Sequence, residues 1–511
     1  MKRYVILSLM MISIIMGSSL ASATKATQVD DNNDLIRSSF VESWAQVNED
    51  GFGSRFNRGP RGIEIFNDSL VIGTANYNSD TTMQENKSFR ITEFFKLYYK
   101  TINPKNIPSD GCEIWCINDE ETKCLVGPEG LNPSGFGDVN NKEIGILIKF
   151  KGYLYAGLRN VDDGCQVWRT KSINDTWEKV ADNGFGNPKN SWCMEAIVYN
   201  DELYIGTFNY FGCEIFKTSD GKNWVEVLGK NTKPGSGFGV VNNFYVWSMA
   251  VYDSSLYVGT NNLNGGFELW KTSDAGATWD PVIAYDTWIK AKLHGADAPR
   301  GFTRKHNIDM FPAMFMKTNI RGGVRNMAVY KDELYLGIVG EDLYGNVNVE
   351  GIGKIFTFTQ GFPKLFYPLQ RRKTMGLEIF KYNATEDNWT PVVTGINKGN
   401  FSAGFGDRHN EYPWAMTVHD GYFYVGTMRP DPGEFTLYRK GLLKWNISFA
   451  MASGGCELWR YDGTNWEQIN QDGFGDNYNI GIRELLVYNN SLYASTMNLK
   501  SGCEVWKLDV Q

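Results

Sequence analysis

The sequence predicts an all-β fold, a seven-bladed β-propeller whose last blade is closed by an N-terminal strand. Three observations carry that prediction. A Leu-Tyr-aliphatic-Gly-Thr motif recurs seven times, as LVIGT (from Leu70), LYAGL (Leu154), LYIGT (Leu203), LYVGT (Leu256), LYLGI (Leu334), FYVGT (Phe423) and LYAST (Leu492). Each copy is followed by a Gly-x-Glu-aliphatic-aromatic motif, as in GCEIW (Gly111), GCQVW (Gly164), GFELW (Gly266) and GCEVW (Gly502). Finally, residues 43–53, SWAQVNEDGFG, match residues 465–475, NWEQINQDGFG, so the chain opens on the tail of a unit it repeats elsewhere.

The first residues stand apart from the repeat. Lys2 and Arg3 precede an apolar run from Tyr4 to Met16 and then Ala21-Ser22-Ala23, the pattern of a secretory signal peptide over 1–23, with a linker over 24–40. The alternative is an uncleaved anchor, which the shortness of the apolar run disfavours. The mature chain is then expected to be secreted or at the cell surface, without membrane insertion. Net charge is −7, or −9 without Lys2 and Arg3, and this acidity argues against a nucleic-acid partner. Four His limit His-based metal and catalytic schemes; no metal and no cofactor are implied.

Within a unit the order is an alternating strand a, strand b (LYVGT), strand c (GCEIW) and a Trp-led strand d. These short, period-2 runs are rich in Val, Ile, Tyr and Trp and are bounded by Asn, Asp and Gly. Four antiparallel strands at a spacing of about 50 residues mark a propeller blade. The seventh unit ends at GCEVWKLDVQ without a strand d, and the orphan strand at 43–48 supplies it, pairing near Glu504. Closure removes a sheet edge that would otherwise invite aggregation. The propeller spans 41–511.

At the c–d hairpin, KTSDAGATWDPV fits an Asp-box at Thr272, Asp274, Gly276, Thr278 and Trp279. It resembles the hairpins of sialidases, sortilin-type receptors and other secreted propellers. The other hairpins, such as KTSDGKNW and RYDGTNW, are looser. In that family the box is a structural turn, so the resemblance implies fold and secretion, not an activity.

Five cysteines (Cys112, Cys165, Cys213, Cys456, Cys503) share one slot, the second residue of the strand c motif, which Phe267 and Leu377 fill elsewhere. A slot shared by Cys, Phe and Leu is apolar, and equivalent slots in different blades lie beyond the ~7 Å limit for bridging, so these five read as free core thiols. Cys116 and Cys124 flank one hairpin and are expected to form a cross-strand disulfide. Cys193 has no obvious partner. Eight Asn-x-Ser/Thr sequons, Asn67 and Asn489 among them, are candidate glycan sites.

Long insertions use the d–a and b–c connections, which share one face: residues 75–110, 284–320, 339–374 and 428–454. That face is expected to carry function. SFRITEFFKLYYKTINPK, FPKLFYPLQRRK and FTLYRKGLLKW interleave aromatics with Lys and Arg, a composition suited to a glycan or an acidic protein ligand, or to simple packing with basic ends in water. Strand a, nearest the axis, starts at this face. Equivalent positions in it hold Arg61, Gly145, Met194, Trp247, Arg325, Trp414 and Arg483. Three Arg with two Trp predict a carboxylate or sulfate site with stacking walls; the alternative is buried Arg satisfied by loop carbonyls. Sialidases hold a substrate carboxylate with three Arg, but on six blades and with a Tyr–Glu pair and an Asp that the sequence does not place. His306 and His409 precede the loop Asn in RKHN and DRHN and are candidate ligand-binding residues. The expected function is a recognition module for a glycan or protein; the alternatives are a sialidase-like or lyase-type enzyme on anionic sugars and a structural role in the cell envelope.

Overall fold

Every a–b turn is built on two residues with positive φ, the turn whose twist matches antiparallel strands. Asn67-Asp68, Asn200-Asp201, Asp253-Ser254, Lys331-Asp332 and Asn489-Asn490 are such pairs, and Lys151-Gly152 and Asp420-Gly421 use Gly second. The computed structural model describes residues 43–77, 89–90, 108–118, 121–262, 266–284, 322–340, 345–346, 348–350, 357–359, 362–363, 376–394, 401–429, 434–439, 445–450, 454–498 and 500–509. The leader, the linker, His306 and most of the insertions lie outside them. The fold is all-β: among the described residues the helical pieces are one-turn 3₁₀ segments. None of them is long and apolar enough to cross a membrane.

Among the described residues one antiparallel four-strand unit recurs seven times. In the third unit strand a is Trp192–Tyr199, b Glu202–Phe208, c Ile215–Thr218 and d Val225–Leu228. Strand a of the other units is Gly62–Phe66, Glu143–Phe150, Tyr245–Tyr252, Val324–Tyr330, Tyr412–His419 and Asn479–Tyr488. These a strands neighbour one another in chain order, and the seventh lies beside the first. The last unit takes its fourth strand from the N-terminal segment: Ser43–Gln46 runs antiparallel to Val505–Asp509, with Trp44 opposite Leu508. Trp44 meets Phe474 edge-on at 5.0 Å, and Phe474 stacks on Trp506.

The Gly-Phe-Gly loops join unit to unit. Phe238 holds φ +58° and stacks on Trp270 at 4.9 Å, while Gly237 N–H donates to the Cys213 carbonyl of the preceding unit. Asn243 then donates to the Gly237 carbonyl and to Glu268, which also accepts from Trp270. Around Glu268 these side-chain bonds stay within one unit, and the loop's main chain makes the inter-unit link. In the c–d hairpin Asp274 accepts from Thr278 N–H (2.9 Å), Thr278 Oγ1 (2.6 Å) and Thr272 Oγ1 (2.8 Å), which hold its carboxyl at about 2. The buried Trp279 donates to the Val227 carbonyl of the neighbouring unit.

All eight cysteines are buried, and no disulfide joins any two of them in the structure. The expected Cys116–Cys124 bridge is corrected by register. Cys116 lies opposite Lys123 and Cys124 opposite Trp115. Directly opposed residues share a face, and the next pair takes the other, so the two thiols point apart.

The b–c insertions of three units meet. Short strands Asn348–Glu350, Glu434–Arg439, Trp445–Ala450 and Phe89–Arg90 form one four-stranded sheet in that order. It ties the fifth, sixth and first units together.

Candidate functional site

Strand a is not regular at the predicted slot. Its pairing with strand b shifts register at Gly145, Met194, Trp247, Arg325, Trp414 and Arg483, each the skipped residue of its ladder. A bulge leaves one residue unpaired and re-aims its side chain. In the first unit Arg61 stands immediately before strand a and needs no bulge. The sequence predicts the slot; the bulge is what frees its side chains from the packing between sheets.

The slot residues then interlock. Trp247 lies across Gly323, where an added Cβ would sit 2.2 Å from the ring, and Trp414 lies across Gly481 at the same 2.2 Å. The Arg two residues beyond each glycine meets these rings: Arg483 lies over Trp414 at 4.5 Å, and Arg325 lies 5.8 Å from Trp247 and 6.0 Å from Trp414. Gly145 offers no side chain, and Arg61 reaches beyond that unit to donate to the Met194 carbonyl at 2.6 Å and cover Trp192 at 5.0 Å. Arg159, at the end of a b strand, covers the same indole at 4.5 Å.

Three carboxylates accompany these cations. Glu143 is buried and accepts from Arg483 Nη2 at 2.9 Å and from the Tyr77 hydroxyl at 2.7 Å, with Arg159 Nη1 at 3.6 Å. Tyr77 in turn accepts a short hydrogen bond from Arg159. Glu195 and Glu484, each next after a slot residue, keep partial exposure. Burial raises both carboxyls, Glu484 to about 7, against the opposing pull of Arg325 and Arg61. Burial, then the like charges of Arg61 and Arg483, pulls Arg325 down to about 9. Burial also pushes the Tyr77 phenol up.

Arg325 is the exception in this network. It is 3% exposed, and among the described residues no hydrogen bond joins it to a carboxylate, whereas Arg483, whose Nε is likewise unpartnered, bonds Glu143 through Nη2. Four guanidinium groups (61, 159, 325, 483) face three carboxylates (143, 195, 484), which leaves one positive charge. A buried cation without a paired anion is costly unless something supplies the anion.

The structure thus brings together Arg61, Arg325, Arg483, Trp247 and Trp414. His409 is engaged in its own loop, where its ring Nδ1 lies 2.7 Å from Asp407. Although burial works the other way, bonds from His409 and the charge of Arg429 hold Asp407 at about 2. Sequence reasoning missed Tyr77, Glu143, Arg159, Trp192, Glu195 and Glu484. The position after the slot could have flagged the last two; nothing local marks the others, which arrive from three different units.

No family model matches the chain, and no curated protein matches it in sequence. Similar solved structures include the β-propeller domain of the Trilobed protease from Pyrococcus furiosus, at 8% identity and TM-score 0.39, covering 89% of this chain and 96% of that one. Trypanosoma rangeli sialidase in complex with sialic acid is similar at 12% identity and TM-score 0.37, over 71% and 53% of the two chains. An α-L-arabinofuranosidase from Clostridium thermocellum is similar at 12% and 0.27, over 59% and 80%. At these scores no residue and no activity passes from them to this chain.

Proposed function

We propose that this chain is an exported, seven-bladed β-propeller of the Asp-box kind that recognises an anionic ligand, a glycan or protein surface presenting a carboxylate or sulfate. The recurring units, their adjacent first strands and the N-terminal fourth strand support the ring; the bonded Asp274 hairpin supports the Asp-box reading. One observation carries the function: Arg325, buried between two indoles, has no hydrogen-bonded carboxylate among the described residues, unlike Arg483 and Arg159 with Glu143, and Glu195 and Glu484 act on it only through space. The flanking Trp247 and Trp414 suit a sugar face or an aromatic group beside the acid. Partial exposure of Glu195 and Glu484 supports an approach for the ligand, and their oxygens would accept from its hydroxyls.

The enzyme alternative draws on the Tyr77–Glu143 pair. A phenol that attacks must ionise, and burial opposes that here, so the pair fits a bracing role beside Arg159 and Arg483 better. A glycan array probed with the mature protein tests the proposal. Uronic-acid or sulfated glycans should be retained over their neutral counterparts. Retention of neutral glycans alone, or of none, would move the site to the aromatic insertions or return the face to a structural role.

A further inference from the structure

We propose that Cys165 and Cys193 form a disulfide that fastens the second unit to the third. At four other interfaces the strand c slot residue of one unit lies in one core cluster with a particular strand a residue of the next. Cys112 shares a core cluster with Ile144, Cys213 with Val246, Phe267 with Val324 and Cys456 with Ile482. That strand a residue also sits against the glycine of the preceding Leu-Tyr-x-Gly-Thr strand. A Cβ added at Gly73 would strike Ile144, one at Gly206 would strike Val246, and one at Gly426 would strike Ile482. The two positions therefore face each other at interface after interface.

Between the second and third units both positions are cysteine. Cys165 and Cys193 share one core cluster, and a Cβ at Gly157 would lie 2.6 Å from Cys193 Cβ, so Cys193 occupies the same seat as its counterparts. Its sulfur lies 3.8 Å from the carbonyl oxygen of Gln166, the residue after Cys165. Comparing slot with slot hides this pair, because its members occupy different positions in their units.

The bond forms by thiol–disulfide exchange with a donor disulfide, such as oxidised glutathione or a disulfide-carrying oxidoreductase. One cysteine thiolate attacks the donor to give a mixed disulfide and release one donor thiol. The second thiolate then displaces the other, closing Cys165–Cys193. The pair loses two electrons and two protons, and the donor ends as two thiols. Both cysteines are fully buried, and burial raises the Cys165 thiol well above its usual range, so exchange belongs to folding, before the interface closes.

The test counts thiols in full-length protein exported to an oxidising compartment, or refolded from the reduced chain in glutathione buffer. Alkylation in denaturant without reductant should modify six of the eight cysteines, and peptide mapping should find the Cys165 and Cys193 peptides linked. Cys193→Val, which installs the residue found at Val246, should leave all seven remaining cysteines alkylated. Eight modified thiols in the native sequence, a link between other cysteines, or only five modified in Cys193→Val would overturn the proposal.

Discussion

Arg483 Nη2 donates to Glu143 Oε1 at 2.9 Å, so the seventh unit grips the second and passes over the first. Arg61 does the same from the first unit to the third through the Met194 carbonyl. These two arginines are committed to the scaffold, and Arg325 is left to bind. The three slot arginines are therefore not equivalent, although the sequence treats them alike.

Removing the scaffold arginine should show as instability. Arg483→Met strips a charge-assisted hydrogen bond from a buried carboxylate, a loss of about 2–3 kcal/mol with Arg159 still in place. Urea unfolding of the variant should give a lower midpoint with an unchanged slope. An unaltered midpoint would mean that Glu143 is satisfied without Arg483.

The N-terminal strand should matter in the same measurable way. Trp44 is half-buried against Phe474, and deletion of residues 43–50 also strips the hydrogen-bonded edge from Val505–Asp509. Loss of the indole alone is expected to cost about 1–2 kcal/mol, and the exposed edge should favour association. Thermal melting and light scattering of the truncated protein check both. An unchanged melt with no aggregation would contradict the closure.

Glu268 supplies a pH test. Burial raises its carboxyl to about 7, although Trp270 and Asn243 donate to it. An unfolded Glu titrates near ~4.3. With the folded value raised, its stabilising contribution is complete below that pH and is lost as pH rises through about 7. Gln166 already fills the equivalent place in the second unit, accepting from Asn141 and Trp168. Glu268→Gln should therefore gain stability over the native protein between pH 5 and 8, on the order of 2 kcal/mol at the upper end. Parallel stability–pH curves for the two proteins would count against the burial argument.

Much of this was legible in the sequence. Leu-Tyr-x-Gly-Thr and Gly-x-Glu-x-Trp mark strands b and c because such short, near-continuous apolar runs fit a sheet buried on both faces. SWAQ at residue 43 marks the closing strand because the last unit lacks one. The slot was legible too, as a column of Arg and Trp, but its aim was not: that depends on a register shift, which only the partner strand reveals. Glu143, Tyr77 and Arg159 were invisible for a related reason, since they meet the slot across units rather than along the chain. Cys116 and Cys124 misled because nearness in a hairpin says nothing of face until the register is known.

Arg325, without a hydrogen-bonded carboxylate among the described residues, is held for a ligand, and calorimetry with a small acidic sugar tests that most directly. Glucuronate should bind the native protein, more weakly as salt rises, and glucose should not. Arg325→Met should lose ten-fold or more in glucuronate affinity, since a bond to a charged group is worth roughly 1.5–3 kcal/mol. Its unfolding midpoint should hold, because relief of the buried charge offsets the lost through-space attraction to Glu195 and Glu484. Native protein that ignores glucuronate, or an Arg325→Met variant that binds it equally well, would contradict the account.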